Sequence, residues 1–185
     1  CLTVSGGHTM IVLVKDYFEM EIIGKTIDDA AGEAFDKIGK IFDLDYPAGP
    51  IVDRLAKEGN PDAFKFNKPR MEGYDYSFSG IKTSVLYFIQ KEVRKNPDFI
   101  KDNINDLCAS VQKSIIEILM DKLEKAAKEL NIKDIAIAGG VSANSGLRKA
   151  MEDNREKLDW NIFIPKFEYT TDIAAMIAMV AKLKY

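Results

Sequence analysis

The chain has 185 residues, 46% apolar and 30% charged, a balance ordinary for a soluble globular protein that excludes a disordered or collagen-like polymer. A net charge of −3 gives no electrostatic case for nucleic-acid binding. Two cysteines and one histidine are too few for a disulfide framework, a cysteine zinc site or a multi-histidine metal site built by this chain alone.

Residues 1–27 read as β structure. Cys1–Val4 and Thr9–Val14 are apolar runs separated by Ser5-Gly6-Gly7-His8. Phe18, Met20 and Ile22 then alternate with Glu19 and Glu21, the period-two signature of a half-buried strand. Short links between the three predict an antiparallel meander. Opening on a strand, the chain is expected to be a piece of a longer protein. Thr26-Ile27-Asp28-Asp29 matches a capping box and opens a helix from Ala30 to Phe42, with Glu33–Lys37 and Asp36–Lys40 as i,i+4 pairs. Tyr46-Pro47-Ala48-Gly49-Pro50 breaks that helix, and Pro50 suits the first turn of the next. Residues 58–80 are loop-rich, and Ile81, Val85, Phe88, Ile89 and Val93 mark a helix that ends before Pro97.

The longest predicted helix runs from Ile104 to Leu130, with Asp121–Lys125 and Glu124–Lys128 as acid-first pairs away from its apolar face. Asp134–Ala138 is a short apolar strand that stops at Gly139-Gly140, with a helix starting near Ser142. Asn161–Pro165 is another strand, and Thr171–Lys184 is a final helix, apolar nearly all round from Ala174 to Val180. Strands first, then helices alternating with single strands, predict an α/β domain with a mixed sheet flanked by helices. No apolar run approaches the ~18 residues of a membrane span.

Four segments carry residues suited to chemistry. Ser5-Gly6-Gly7-His8-Thr9 can form an anion nest or simply a hairpin turn. Asp28–Lys37 holds acids that can bind a cation or ribose hydroxyls, or merely favour a helix start. Within it, Ala30-Ala31-Gly32 is pared down as if something else comes near. At Ala138–Asn144 a strand runs into two glycines and a helix start, which directs free N–H groups to the carboxyl edge of a sheet. Asn144 there can read a base edge or solvate the first helical turn. Thr171 or Asp172 can cap the last helix. A serine-hydrolase elbow, a P-loop and a His-Glu-x-x-His motif are all absent.

The order of these segments is more specific than any one of them. TVSGGHT at 3–9, TIDDAAGEAFDK at 26–37, YPAGP at 46–50, YSFSGIKT at 76–83, AGGVSAN at 138–144 and TTD at 170–172 together resemble the C-terminal half of the TsaD family. That family, also known as glycoprotease, is the catalytic subunit of tRNA threonylcarbamoyladenosine synthesis. The resemblance implies the actin-like, sugar-kinase-like ATPase (ribonuclease H-like) fold, in which two α/β halves flank a cleft. Residues 1–160 would form the C-terminal lobe, and 161–185 a strand and helix packing towards the other lobe.

The same resemblance implies an acyltransferase. A threonylcarbamoyl group would pass from threonylcarbamoyl-adenylate to the exocyclic amine of the tRNA adenosine 3′ of the anticodon. Thr3, Val4, Ser5, Gly6, Gly7, Asp36, Gly49, Asp53 and Asn144 would contact the adenylate. Asp172 would be a ligand of one divalent metal ion, iron or zinc, whose two histidine ligands lie outside this chain. The site would be incomplete here, and the isolated chain inactive. Implied partners are tRNA, a paralogous subunit and an ATPase subunit, in the cytoplasm and without a membrane. Two departures stand out: Ala48 replaces a usual glycine, and Ile173 a usual asparagine. Two other readings share these residues, an ATP-dependent phosphotransferase or ATPase of the same superfamily and a non-catalytic partner-type subunit.

Overall fold

A computed structural model of the chain describes residues 1–69, 71–171 and 174–185. Three strands form the expected antiparallel meander: β1 (Leu2–Val4), β2 (Thr9–Asp16) and β3 (Glu19–Lys25). Ser5 closes the first turn by donating its N–H to the His8 carbonyl at 2.8 Å. Two later strands, β4 (Asp134–Ala138) and β5 (Asn161–Phe163), extend the sheet in parallel, in the order β3-β2-β1-β4-β5. β1 is therefore central, and its Leu2 and Val4 are fully buried. The mixed α/β sheet matches the expected class. β5 belongs to the same sheet as β1–β4.

β3 departs from the half-buried strand its alternation predicts. Val14 pairs with Met20 and Val12 with Ile22 across β2 and β3, yet Met20 and Ile22 are 59% and 57% exposed. Alternation decides which side of a strand a residue takes, not whether anything packs against that side.

Seven α-helices are described: α1 (Ala31–Ile41), α2 (Ala48–Ala56), α3 (Ser79–Val93), the single turn α4 (Phe99–Asp102), α5 (Ile104–Glu129), α6 (Ser145–Lys157) and α7 (Ala174–Lys184). α5 is the core helix, buried along Leu107, Val111, Ile115, Leu119 and Leu123. The buried Tyr76 donates its hydroxyl to the Leu119 carbonyl at 3.2 Å. Asp43, Asn131 and Asp159 lie just beyond α1, α5 and α6 with φ of 60°, 53° and 54°. A left-handed Asp or Asn there lets the chain turn away and satisfies the last carbonyls. By contrast, no described residue of α7 is buried, and Ile177 is 76% exposed.

The helix starts also differ in detail from the sequence reading. Thr26 does not cap α1; its hydroxyl donates to the Asp29 carbonyl at 2.7 Å and shapes the preceding turn. The N-terminal donors of α1 go elsewhere, Ala31 N–H to Thr9 Oγ1 at 2.8 Å and Ala30 N–H to Glu33 at 3.4 Å. Of the four expected ion pairs only Glu33–Lys37 forms among the described residues, at 2.9 Å. Asp36 accepts from a backbone N–H instead, and Glu124 from the Asn154 amide at 2.8 Å. Exposed i,i+4 pairs contribute only about 0.3–0.5 kcal/mol, so a better local partner displaces them.

Asp28 anchors the start of α3 from across the sheet edge. It accepts from Ser77 Oγ and Ser79 Oγ, both at 2.6 Å, and from the Phe78 N–H at 2.8 Å. Partial burial alone raises its pKa, but these hydrogen bonds outweigh it and hold the carboxyl below its ordinary value.

Candidate functional site

Four chain segments, far apart in sequence, close around one cavity of about 270 Å³ at the carboxyl end of β1 and β4. The β1–β2 turn contributes Gly6, and α1 contributes Gly32, Phe35 and Asp36. Tyr46 and Pro47 lead into α2, which adds Gly49, Pro50 and Asp53. Beyond β4, a single 3-10 turn (Gly140–Ala143) and Asn144 complete the wall.

Asp36, Asp53 and Asn144 in this wall each hold the start of a helix. Asp36 Oδ1 accepts from the Ala48 N–H at 2.8 Å and so caps α2 from α1. Asp53 Oδ1 accepts from the N–H and hydroxyl of Ser145, at 3.0 and 2.7 Å, and so holds α6 from α2. Asn144 is the N-cap of α6, its Oδ1 accepting from the Leu147 N–H at 2.9 Å, while Nδ2 donates to Gln112 Oε1 of α5 at 2.6 Å. An unpaired N–H at a helix start is a natural target for an oxygen acceptor. The sequence reading left cap and ligand roles open for Asn144, and the cap role is met.

The glycines separate into two kinds. Gly139 (φ +90°) must be glycine, because a Cβ there would overlap the Val4 carbonyl. Gly32 is equally constrained: a Cβ would sit 2.6 Å from the Ser5 carbonyl oxygen and 2.8 Å from Gly6. The pared surface at Ala30-Ala31-Gly32 is therefore filled by the protein itself, with Ala30 and Ala31 buried and the Gly32 N–H donating to Ser5 at 3.1 Å. Gly6, Gly7 and Gly140 are different. A Cβ on any of them meets nothing within 4 Å, and none has the left-handed φ that would require glycine. Side chains at these positions would project into open space, so packing does not explain their absence.

The remaining expected residues lie around this floor. Thr3 and Val4 are in β1, with Val4 fully buried, and the Ser5 hydroxyl accepts from the His8 N–H at 3.0 Å. Gly7 is exposed beside Gly6. A second hollow of about 430 Å³ shares Gly6, Asp36 and Tyr46 and is also lined by Lys37 and Lys40. The Ala48 methyl points at α1, where a Cβ on Gly39 would overlap it, so the extra methyl is accommodated by glycine on the neighbouring helix.

Tyr46, 84% exposed at the cavity rim, is a lining residue that the Tyr46–Pro50 motif does not mark out. Gln112 was missed outright because it sits inside the apolar pattern of α5. Cys108 is fully buried in α5, and burial pushes its thiol pKa up to about 12. Asp172 and Ile173 lie outside the described residues. Among the described residues no group of three His, Cys, Asp or Glu side chains is placed to hold a metal ion, and Asp172, the ligand expected of this chain, is not one of those residues.

Comparison with known proteins places this arrangement in context. The family model TsaD, described as tRNA N6-adenosine threonylcarbamoyltransferase, matches residues 1–179. A protein of that name from Riemerella anatipestifer is 81% identical over 185 residues, covering 100% of this chain and 54% of the relative. Others of the same name from Christiangramia forsetii and Porphyromonas gingivalis are 59% and 58% identical, again over 100% of this chain and 54% of their own length. The chain thus spans about half the length of the curated relatives it matches.

Proposed function

This chain belongs to the TsaD family, and from that premise we propose that it supplies the adenylate-binding wall of a tRNA N6-adenosine threonylcarbamoyltransferase. The supporting observation is that Gly6, Asp36, Gly49, Asp53 and Asn144 line one cavity although they come from four separate segments. In this reading the Gly49 N–H, left over when Asp36 takes the Ala48 N–H and Pro50 has none, and the backbone at Gly140 face the ligand. Asp36 keeps its second carboxylate oxygen for ribose hydroxyls, and the bare Gly6 and Gly140 let the ligand lie against backbone.

The chain's contribution to the transfer is then binding and orientation. Holding the adenylate still while the tRNA amine approaches converts a bimolecular encounter into an oriented one. The amine attacks the carbamoyl carbon, AMP departs with the C–O bond electrons, and the amine loses a proton. We propose separately that Asp172 is a ligand of one divalent ion, iron or zinc. Its test is metal analysis of a full-length protein carrying Asp172→Asn, with unchanged metal content as the overturning result.

tRNA, a paralogous subunit, an ATPase subunit and a cytoplasmic site of action belong to the same proposal. No helix among the described residues is long and apolar enough to cross a membrane. The deciding experiment incubates the full-length protein and its partner subunits with threonylcarbamoyl-adenylate and unmodified tRNA, then measures nucleosides by mass spectrometry. Threonylcarbamoyladenosine above a no-enzyme control is expected. ATP turnover without tRNA, and no modified nucleoside, would favour the phosphotransferase reading.

A further inference from the structure

We infer that Gln112, on the core helix α5, is a positioning residue that, together with the Leu147 N–H, fixes which way Asn144 presents its amide to the cavity. The inference rests on the adenylate-binding reading above and deepens it. An asparagine side chain is nearly symmetric in shape, so turning its amide over exchanges donor for acceptor at little steric cost. Two partners remove that freedom here. The Leu147 N–H at 2.9 Å requires an oxygen, and Gln112 Oε1 at 2.6 Å requires an N–H. Both amides are buried, at 8% and 9% exposure, where an unmatched donor or acceptor is costly. With Oδ1 on the helix start and one N–H on Gln112, the second Nδ2–H of Asn144 is left for a ligand in the cavity it lines.

A neighbouring glycine supports the pairing. A Cβ on Gly146 would lie 2.8 Å from Ile116 Cδ1, 2.9 Å from Gln112 Nε2 and 3.3 Å from Asn144 Oδ1. Gly146 therefore leaves room for the two amides to meet. Gln112 is buried on α5 between Ser110 and Ser114, and the pairing gives its amide oxygen a partner.

The test uses the full-length protein, with AMP as a non-reactive probe in calorimetric titration. Gln112→Met keeps the length of the side chain and removes the acceptor. It should raise the AMP dissociation constant about ten-fold, and the KM for threonylcarbamoyl-adenylate likewise, with a smaller change in kcat. Gln112→Glu, which keeps an acceptor, should recover most of the affinity. Because Gln112 acts through Asn144, Gln112→Met should add nothing in an Asn144→Ala background. Full additivity, or a lowered melting temperature with unchanged AMP affinity, would overturn the inference. If Gln112→Met fails to fold, amide exchange in the wild type decides: one Asn144 Nδ2 proton protected and the other shifted by AMP is expected, and two unprotected protons refute it. A wild type that binds no AMP overturns the adenylate reading itself, and Gln112's role with it.

Discussion

Asp53 and Ser145 are 92 residues apart, yet one carboxylate oxygen of Asp53 takes both the backbone N–H and the hydroxyl of Ser145. The bond ties the middle of α2 to the first turn of α6 and so fixes the far wall of the cavity. Removing it should be felt as stability before it is felt as chemistry. Asp53→Ala leaves two buried-side donors without an acceptor and should cost about 1–3 kcal/mol in urea denaturation. Asp53→Asn, which keeps an accepting oxygen, should lose clearly less. Equal stability of Asp53→Ala and wild type would mean that α6 is held by other contacts.

Asp36 separates the two roles in the opposite way. Asp36→Asn keeps the acceptor for the Ala48 N–H but removes the charge, so stability should stay within about 0.5 kcal/mol. AMP affinity should fall about ten-fold if the second oxygen holds ribose hydroxyls, since bonds to charged groups contribute about 1.5–3 kcal/mol. Titration of both proteins with AMP checks this, and unchanged affinity would leave Asp36 as a helix cap alone.

The glycines give a paired forecast. Gly32→Ala drives a methyl into the Ser5–Gly6 backbone and should destabilise by about 1–3 kcal/mol, as overpacking does. Gly6→Ala meets nothing within 4 Å and should leave stability within about 0.5 kcal/mol while weakening AMP binding. Thermal unfolding and titration on both variants test this contrast, and normal AMP affinity in Gly6→Ala would mean that the open floor holds no ligand.

How much of this was legible beforehand follows from what periodicity encodes. The meander, all the long helices and the parallel strands were readable, because their apolar residues repeat at periods of two or 3.6. The cavity residues were readable only as ordered motifs, since nothing in the local pattern brings residue 36 beside residue 144. Partner choice was least legible. Asp36 and Glu124 look like members of surface ion pairs, yet each serves a neighbour supplied by the fold. Gln112 is buried on α5 and accepts from Asn144, a partner that nothing in the helix's own pattern announces. The exposed Met20 and Ile22 show the same gap, since a strand's alternation carries no information about what lies opposite.

Acid stability should report on Asp28. Its carboxyl is held below the ordinary value, so near pH 4 the unfolded chain binds more protons than the folded one. The contribution is fully present above the unfolded pKa and is lost as pH falls through the lower folded value. Asp28→Asn should therefore have a lower melting temperature at pH 7 but a shallower decline between pH 5 and 3. Parallel declines in the two proteins would show that the link from Asp28 to Ser77 and Ser79 contributes little.

The register of the central strand carries a consequence for folding order. β1 pairs on one side with β2, a few residues away, and on the other with Ile137 and Ala138 of β4. During synthesis the hairpins of residues 2–25 can zip as soon as they emerge, whereas the sheet cannot close until residue 138 is available. Contacts of such long separation slow folding, because the loop entropy is lost before the pairing is gained. Until residue 138 has been made, the inner edge of β1 has no partner strand. That edge, buried in the finished protein, is where a chaperone or a premature strand partner would bind.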